Sequence, residues 1–193
     1  NELGWEIYFR PENNTEKLGD LILEEGKKMG MILTATPSFR GRRIEAGLLS
    51  AGQDFTNDTN PFSVGLGRFV DLNKNDFIGK KALISADKEC RSWGIRVVDG
   101  IAKKGRSIKI NNQYIGKVTS STWSPYQVCG VGIVLLDKSD IGPGTVVDVE
   151  CNDEKIHKAE LCELPMYDPN GEIVRGINKK IPTKAEPWQG IKS

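Results

Sequence analysis

Residues 116–135 read GKVTSSTWSPYQVCGVGIVL, and this stretch decides the fold of the second half of the chain. Two runs that are rich in β-branched and other apolar residues lie on either side of a hydroxyl-rich segment. β-branched side chains favour extended backbone, so these runs predict strands at Tyr114–Ser120 and Val128–Leu136. The polar segment Thr119–Pro125 between them predicts a turn.

Further strand-like segments flank this pair at regular spacing. They are Arg91–Val98, Ser107–Ile110, Thr145–Cys151 and Lys155–Leu164. Asn111-Asn112 predicts a tight hairpin turn, because asparagine tolerates the left-handed backbone that such turns require. Six short strands at this spacing are typical of a small antiparallel barrel or sandwich. We predict a small antiparallel β-barrel.

The earlier part of the chain has a different pattern, in which helical spacing of apolar residues alternates with short extended runs. The spacing predicts helices at Thr15–Met29 and Ser38–Leu49, and a short helix that Asp76 caps. Aromatic and β-branched runs predict strands at Trp5–Phe9 and Met31–Thr34. The predicted fold class is therefore α+β.

The change of pattern at about residue 88 divides the chain. We predict an α+β unit at 1–88, a β-barrel domain at 89–166 and an extended polar tail at 167–193. A strand as close to the first residue as the predicted opening strand usually needs upstream neighbours for pairing. We therefore expect the chain to be the C-terminal part of a longer protein.

Composition argues against several classes of partner. The chain has 27 basic and 26 acidic residues, and this balance provides no long-range field to attract nucleic acid or an anionic membrane. Apolar runs such as Val131–Leu136 are too short to cross a bilayer, and no secretion signal opens the chain. We expect a cytoplasmic protein without nucleic-acid or membrane partners, and a homodimer is left open.

The cysteines show no metal-binding pattern. They are widely spaced, form no CxxC pair and are accompanied by a single histidine, His157. This spacing argues against a zinc site, so we predict no metal and interpret the cysteines as buried apolar residues. They are Cys90, Cys129, Cys151 and Cys162.

The segment GWEIYF places a carboxylate and a phenol two residues apart, at Glu6 and Tyr8. On a strand, residues at this spacing project to the same face. A carboxylate there can accept a pair of N–H donors while the phenol offers a hydroxyl. From the residues alone, a surface strand with a solvated glutamate beside a packed tyrosine is the favoured interpretation.

Residues 40–71 read RGRRIEAGLLSAGQDFTNDTNPFSVGLGRFVD and open with three arginines, Arg40, Arg42 and Arg43. Arginine suits bidentate recognition of carboxylates, whereas a solvated helix face or an ion pair is the alternative. The glycines at 65 and 67 lack the third glycine of a phosphate-binding loop.

Together these motifs resemble the folate-dependent aminomethyltransferase family, the glycine-cleavage T-protein and its relatives. The resemblance is carried by the GWEI motif, by residues 40–71 and 116–135, and by PGTVVDVE at 143–150. The sequence of these motifs is most similar to that of the branch that demethylates dimethylsulfoniopropionate. The resemblance implies a partial folate-binding core, without its N-terminal half, followed by the family's C-terminal β-barrel.

The resemblance also assigns roles to four residues. In the family the glutamate of this motif binds the donor edge of the pterin, so Glu6 would bind tetrahydrofolate. Tyr8 matches an aromatic position of the demethylase branch and would border the transferred methyl group as a catalytic residue. Arg43 would hold a carboxylate, and Trp123 would flank the ligand in a central cavity.

The implied activity is a tetrahydrofolate-dependent methyltransferase that moves a methyl group from a sulfonium donor to N5 of tetrahydrofolate. The alternatives are a glycine-cleavage aminomethyltransferase and a non-catalytic folate-binding module. T-proteins carry an arginine four positions before the residue that matches Arg43, whereas this chain has Phe39 there. This difference favours the small-molecule sulfonium donor. The family's catalytic-region aspartate is expected upstream, so these residues alone would be inactive or impaired.

Overall fold

The computed structural model describes residues 5–179 and 184–191. The first residues of the predicted α+β unit and parts of the predicted tail therefore lie outside the described residues. Within the described part, six strands form the centre of the molecule. They are β1 (Ser92–Val97), β2 (Ser107–Ile110), β3 (Gln113–Ser124), β4 (Cys129–Leu136), β5 (Val146–Glu150) and β6 (Ile156–Cys162).

These strands close into an antiparallel barrel in the order β1-β4-β3-β2-β5-β6, and β6 pairs back with β1. The predicted hairpin turn is confirmed, because Asn111 and Asn112 join β2 to β3 with φ values of 49° and 63°. The barrel prediction is also confirmed. The predicted turn at Thr119–Pro125 is wrong, because β3 continues to Ser124 and pairs with β4 along this segment.

Two apolar clusters explain why β4 is buried on both faces. Val134 and Leu136 belong to the cluster that fills the barrel. Residues at the alternate positions of the strand, Cys129, Val131 and Ile133, pack outside the barrel against Ile44. Since successive residues of a strand point to opposite faces, a continuous apolar run is required here instead of an alternating one.

Three α-helices precede the barrel in the described part: α1 (Thr15–Lys28), α2 (Thr36–Glu45) and α3 (Lys80–Ser85). The first two helix predictions are confirmed, and the Asn14 side chain caps α1 by accepting from the Lys17 N–H at 2.9 Å. The Asp76 prediction is wrong, because α3 begins only after Gly79. The Asp76 carboxylate instead accepts from the neighbouring backbone N–H of Phe77.

The predicted strands at Trp5–Phe9 and Met31–Thr34 are not formed. A strand needs a neighbouring strand with which its backbone can form hydrogen bonds, and neither segment pairs with one among the described residues. Trp5 is 90% exposed and Ile32 is 83% exposed, so the apolar side chains also lack a surface to cover. α1 likewise makes no extensive contact with another described element. No described helix combines the length and the apolar character that crossing a membrane requires.

Residues 186–188 lie against the outside of the barrel. The backbone N–H groups of Glu186 and Trp188 donate to the carbonyl oxygens of Tyr126 at 2.9 Å and Gln127 at 2.8 Å. Trp188 also packs on the outer apolar cluster that contains Ile44. The division of the chain at residues 88 and 166 stays a prediction.

The cysteines form no disulfide, and three of the four are buried: Cys151 in the barrel core, Cys129 in the outer cluster and Cys162 at the end of β6. Burial raises the pKa of the Cys129 and Cys151 thiols to about 11 and that of Cys162 to about 12. Cys90 is only partly buried, and burial raises its pKa as well. The interpretation of the cysteines as apolar residues is therefore confirmed for the three buried ones.

We expect a thiol-alkylating reagent to label Cys90 first and the three buried cysteines only after unfolding, because the thiolate is the reactive species. The same shifts predict lower stability at alkaline pH. In the unfolded chain thiols ionise at about pH 8.5, whereas the buried ones keep their protons. Their contribution to stability is therefore fully present below that pH and is lost progressively as the pH rises towards the folded pKa values of about 11 and about 12. Peptide mass spectrometry and thermal melts between about pH 7 and about pH 10 measure both effects. Labelling of Cys129 at the rate of Cys90 would contradict this assignment.

Candidate functional site

The candidate site lies where α2 crosses β3. Gly41 lies at this contact, since a Cβ there would be in ordinary van der Waals contact with the Trp123 carbonyl oxygen at 3.8 Å and with a Thr122 methyl group at 3.9 Å. Arg40 and Arg43 are three positions apart on α2 and therefore project to the same side of the helix. The helix thus brings two of the three predicted arginines to the barrel wall.

Arg43 is held by three acceptors. Its Nη1 donates to an Asp54 carboxylate oxygen at 2.8 Å and to the Leu48 carbonyl oxygen at 3.0 Å, and its Nη2 donates to Ser120 Oγ at 2.7 Å. The Asp54 side chain is fully buried, whereas that of Arg43 is 20% exposed. Arg43 therefore connects α2 to the following loop through an ion pair with the buried Asp54, and to the barrel through its hydrogen bond to Ser120 on β3.

Asp54 receives two further donors besides Arg43. The Ser50 N–H donates to it at 2.8 Å and the Thr119 hydroxyl donates at 2.6 Å. Thr119 lies at a register shift between Val118 and Ser120, where β3 bulges against β4. A bulge re-aims side chains that regular pairing would direct elsewhere, so Thr119 and Ser120 are both buried beside this network.

A cavity of about 320 Å³ opens beside this network, and we call it the α2–barrel cavity. One wall comes from α2, and the others come from β3 and from the loops near residues 53, 101–104 and 152. The lining residues are Arg40, Arg43, Gln53, Ile101, Lys104, Ser120, Ser121, Thr122 and Asn152.

Trp123 lies elsewhere, in a second cavity of about 340 Å³ that shares no lining residue with the first. Glu45, Gly41 and Tyr126 are among its other lining residues. The Glu45 carboxylate accepts a hydrogen bond from Ser124, which secures this end of β3 to α2. Burial, followed by a hydrogen bond to Glu186, raises the pKa of Tyr126 to about 12, so this phenol stays neutral.

Glu6 and Tyr8 contact each other, since the Tyr8 hydroxyl donates to the Glu6 carboxylate. This bond raises the pKa of Tyr8 above its ordinary value. Both residues are exposed, Tyr8 by 86%, and neither lines the α2–barrel cavity or the Trp123 cavity. The expected pairing of carboxylate and phenol is therefore present, without a surrounding pocket of described residues.

Comparisons with known proteins match both parts of the chain. A family model described as the GCVT N-terminal domain matches residues 1–74, and one described as the glycine cleavage T-protein C-terminal barrel domain matches residues 91–168. The chain belongs to the glycine-cleavage T-protein family. The predicted α+β fold, with part of the family's core followed by its C-terminal barrel, is confirmed.

Relatives in this family are named aminomethyltransferases. Those of Bacillus licheniformis and Anoxybacillus flavithermus are each 34% identical over 171 residues, which is 86% of this chain and 46% of the relative. The crystal structure of the glycine cleavage system aminomethyltransferase T from Bartonella henselae has a TM-score of 0.69 at 23% identity, over 80% of this chain and 45% of that one. This likeness supports the fold. The chain spans about half the length of the curated relatives that it matches.

The structure brings together only part of the predicted T-protein site. Arg43 and Trp123 both lie at the contact between α2 and β3, but they line different cavities. Glu6 and Tyr8 pair with each other on the surface. The roles assigned to these four residues stay predictions.

The sequence motifs did not single out Asp54, which accepts three hydrogen bonds in this network, as many as Arg43 donates. One feature of the sequence did indicate an acidic partner: Arg43 directly precedes the buried apolar residue Ile44 on α2. A partly buried guanidinium needs an acidic partner, and Asp54 in the following loop is the nearest aspartate along the chain. The pattern does not reveal that the carboxylate also accepts from Thr119 on a distant strand.

Proposed function

We propose that this chain takes part in tetrahydrofolate-dependent one-carbon transfer of the aminomethyltransferase type. The observation that carries the proposal is the match of residues 1–74 to the T-protein's GCVT domain, since this segment contains Glu6, Tyr8 and Arg43. Tetrahydrofolate supplies the N5 atom that accepts the one-carbon unit. The residues of the chain bind and orient the reactants.

The chemistry of Glu6 fits the donor edge of a pterin. A carboxylate offers about four lone-pair positions, and the only hydrogen bond that Glu6 makes among the described residues is to the Tyr8 hydroxyl. It can therefore keep this bond while it accepts a pair of N–H groups from the pterin. Tyr8 would hold the carboxylate in position for that contact.

The described residues around Glu6 do not exclude water. Trp5 is 90% exposed and Tyr8 is 86% exposed, whereas group transfer is fastest when the reactants are aligned and sequestered. We therefore expect the remaining walls of the pocket to come from polypeptide that corresponds to the part of the relatives that this chain does not span.

For the donor, the names of the relatives favour an aminomethyl group derived from glycine. A methyl group on a sulfonium, such as that of dimethylsulfoniopropionate, is the second candidate. Phe39 favours this second donor, because it occupies the position of an arginine in T-proteins and is 51% exposed on α2. A sulfonium is already activated for departure, so that reaction needs alignment more than acid–base catalysis.

We expect Glu6→Gln to weaken tetrahydrofolate binding by about tenfold or more, because the neutral amide loses charge-assisted acceptance and presents an N–H to one pterin donor. Isothermal titration with the native polypeptide that contains these residues measures the effect. Glu24→Gln is the matched control, since Glu24 is exposed on α1 and its side chain makes no hydrogen bond or ion pair among the described residues.

Equal affinity in the wild type and in Glu6→Gln would contradict the proposed role of this carboxylate. Product analysis distinguishes the donors. Incubation with tetrahydrofolate and either an aminomethyl-lipoyl donor or dimethylsulfoniopropionate yields methylene-tetrahydrofolate in the first case and methyl-tetrahydrofolate in the second. Mass spectrometry separates the two products.

A further inference from the structure

The α2–barrel cavity is lined almost entirely by hydrogen-bond donors. All of its lining residues except Ile101 carry a side-chain N–H or O–H group. Arg40 and Arg43 contribute guanidinium groups from α2, and Lys104 contributes an ammonium group from the loop after β1. The volume of about 320 Å³ lies at the lower end of the range for small-molecule sites.

The positive charges that line the α2–barrel cavity are not balanced by negative ones. Asp54 neutralises Arg43, since its fully buried carboxylate accepts a hydrogen bond from Arg43 Nη1. Lys104 Nζ donates to the neutral Gln53 Oε1 at 2.9 Å, and Arg40 has no hydrogen bond or ion pair among residues 5–179 and 184–191. Two positive charges therefore remain at the cavity without an acidic partner in the described chain.

Several donors also remain available for a ligand. Ser120 is 2% exposed and its Oγ accepts from Arg43, so its own proton is left to donate, with no acceptor among the described residues. The hydroxyls of Ser121 and Thr122 have no hydrogen-bond partner in the described part of the chain. The ion pair with Asp54 already fixes the orientation of the Arg43 guanidinium plane. Little conformational entropy is therefore lost from this side chain when a ligand binds.

We propose that the α2–barrel cavity is a binding site for a small polyanion, held through carboxylate or phosphate oxygens. Arg40 and Lys104 supply the uncompensated charge. The fixed guanidinium of Arg43 and the hydroxyls of β3 supply directional donors. Two sources share this chemistry: free inorganic phosphate, and the glutamyl carboxylates of a folate. The second source rests on the proposed function, whereas the site itself does not.

The test uses the full 193-residue chain, with phosphate and the dicarboxylate glutarate as probes. Arg40→Gln combined with Lys104→Gln removes both uncompensated charges, and each replaced side chain is exposed. We expect affinity for each probe to fall about tenfold or more, as measured by isothermal titration, because each charged donor contributes strongly to anion affinity. Lys109→Gln combined with Lys138→Gln is the charge-matched control, since both lysines are exposed and lie outside the cavity.

Thr122→Val provides a second variant that preserves shape and charge while it removes one hydroxyl. We expect it to weaken both probes by a few-fold, and far-ultraviolet circular dichroism checks that the barrel is retained. Equal weakening by the control pair would show a general charge effect and would overturn the site. Absence of binding to the wild-type chain, or unchanged affinity in the double cavity variant, would also overturn it.

A further titration distinguishes the two sources. Tetrahydrofolates that carry one or three glutamyl residues are compared in the wild type and in the double cavity variant. If folate is the source, the wild type binds the triglutamyl form more tightly and the cavity variant loses this preference, while Glu6→Gln keeps it. Phosphate binding without any tetrahydrofolate binding, both measured in the native polypeptide that contains these residues, would retain the site and reject the proposed function.

Discussion

Replacing Arg43 with methionine is expected to lower the free energy of unfolding by about 3 kcal/mol. The substitution leaves the fully buried Asp54 carboxylate without its cationic partner, although the Ser50 N–H and the Thr119 hydroxyl still donate to it. An uncompensated buried charge is costly because the interior cannot solvate it as water does. Urea unfolding followed by tryptophan fluorescence measures the change.

Two comparisons separate this explanation from general damage to α2. Arg40→Met removes an exposed arginine from the same helix, and we expect a change within about 0.5 kcal/mol. Arg43→Met combined with Asp54→Leu removes both charges, so it should be more stable than Arg43→Met alone. If the double variant is less stable by the sum of the two single effects, the ion pair is not the source of the stability.

Gly130→Ala is expected to destabilise the barrel by about 3 kcal/mol, or to prevent it from folding. A Cβ at this position of β4 would lie 1.9 Å from the Gly100 carbonyl oxygen and 3.2 Å from the Ile101 Cα. Both atoms belong to the backbone, so no side-chain rotation can relieve the overlap. Gly130 also pairs with Val97 and with Trp123, which prevents the strand from moving away without loss of pairing on both sides. Thermal unfolding measured by circular dichroism tests the expectation.

Gly19→Ala is the matched control for this substitution. Gly19 lies within α1, and a Cβ there would have no heavy atom within 4 Å. Alanine should therefore stabilise the helix by roughly 0.5–1 kcal/mol, because it loses less conformational freedom than glycine. A Gly130→Ala protein that is as stable as the wild type would show that the loop at residue 100 can move aside at little cost.

Local pattern was sufficient to predict the barrel strands, because each strand carries its own evidence of burial. The apolar run Val128–Leu136 predicts a strand, and the structure covers the resulting β4 with the barrel core on one side and Ile44 on the other. The turn at Asn111-Asn112 was predictable for a similar reason, since the left-handed backbone there is a local preference.

The same reasoning failed where a segment depends on a partner. Trp5–Phe9 has the composition of a strand but no neighbouring strand among the described residues, and a strand alone cannot satisfy its backbone groups. The segment Thr119–Pro125 has the composition of a turn, yet pairing with β4 extends β3 through it to Ser124. In the first case the lack of a pairing strand outweighed the local preference for extended backbone. In the second case pairing with β4 outweighed the local preference for a turn.

The sequence by itself determined the family, the α+β class and the positions of the barrel strands along the chain, because these follow from motifs and from periodicity along one segment at a time. Only the tertiary structure decided what the arginines of α2 contact. Arg43 meets Asp54 and Ser120 because the bulge in β3 and the contact at Gly41 bring three distant segments together. Periodicity specifies which face of a segment is buried, whereas the polar partner that a buried group finds depends on how the closed barrel and the helix pack.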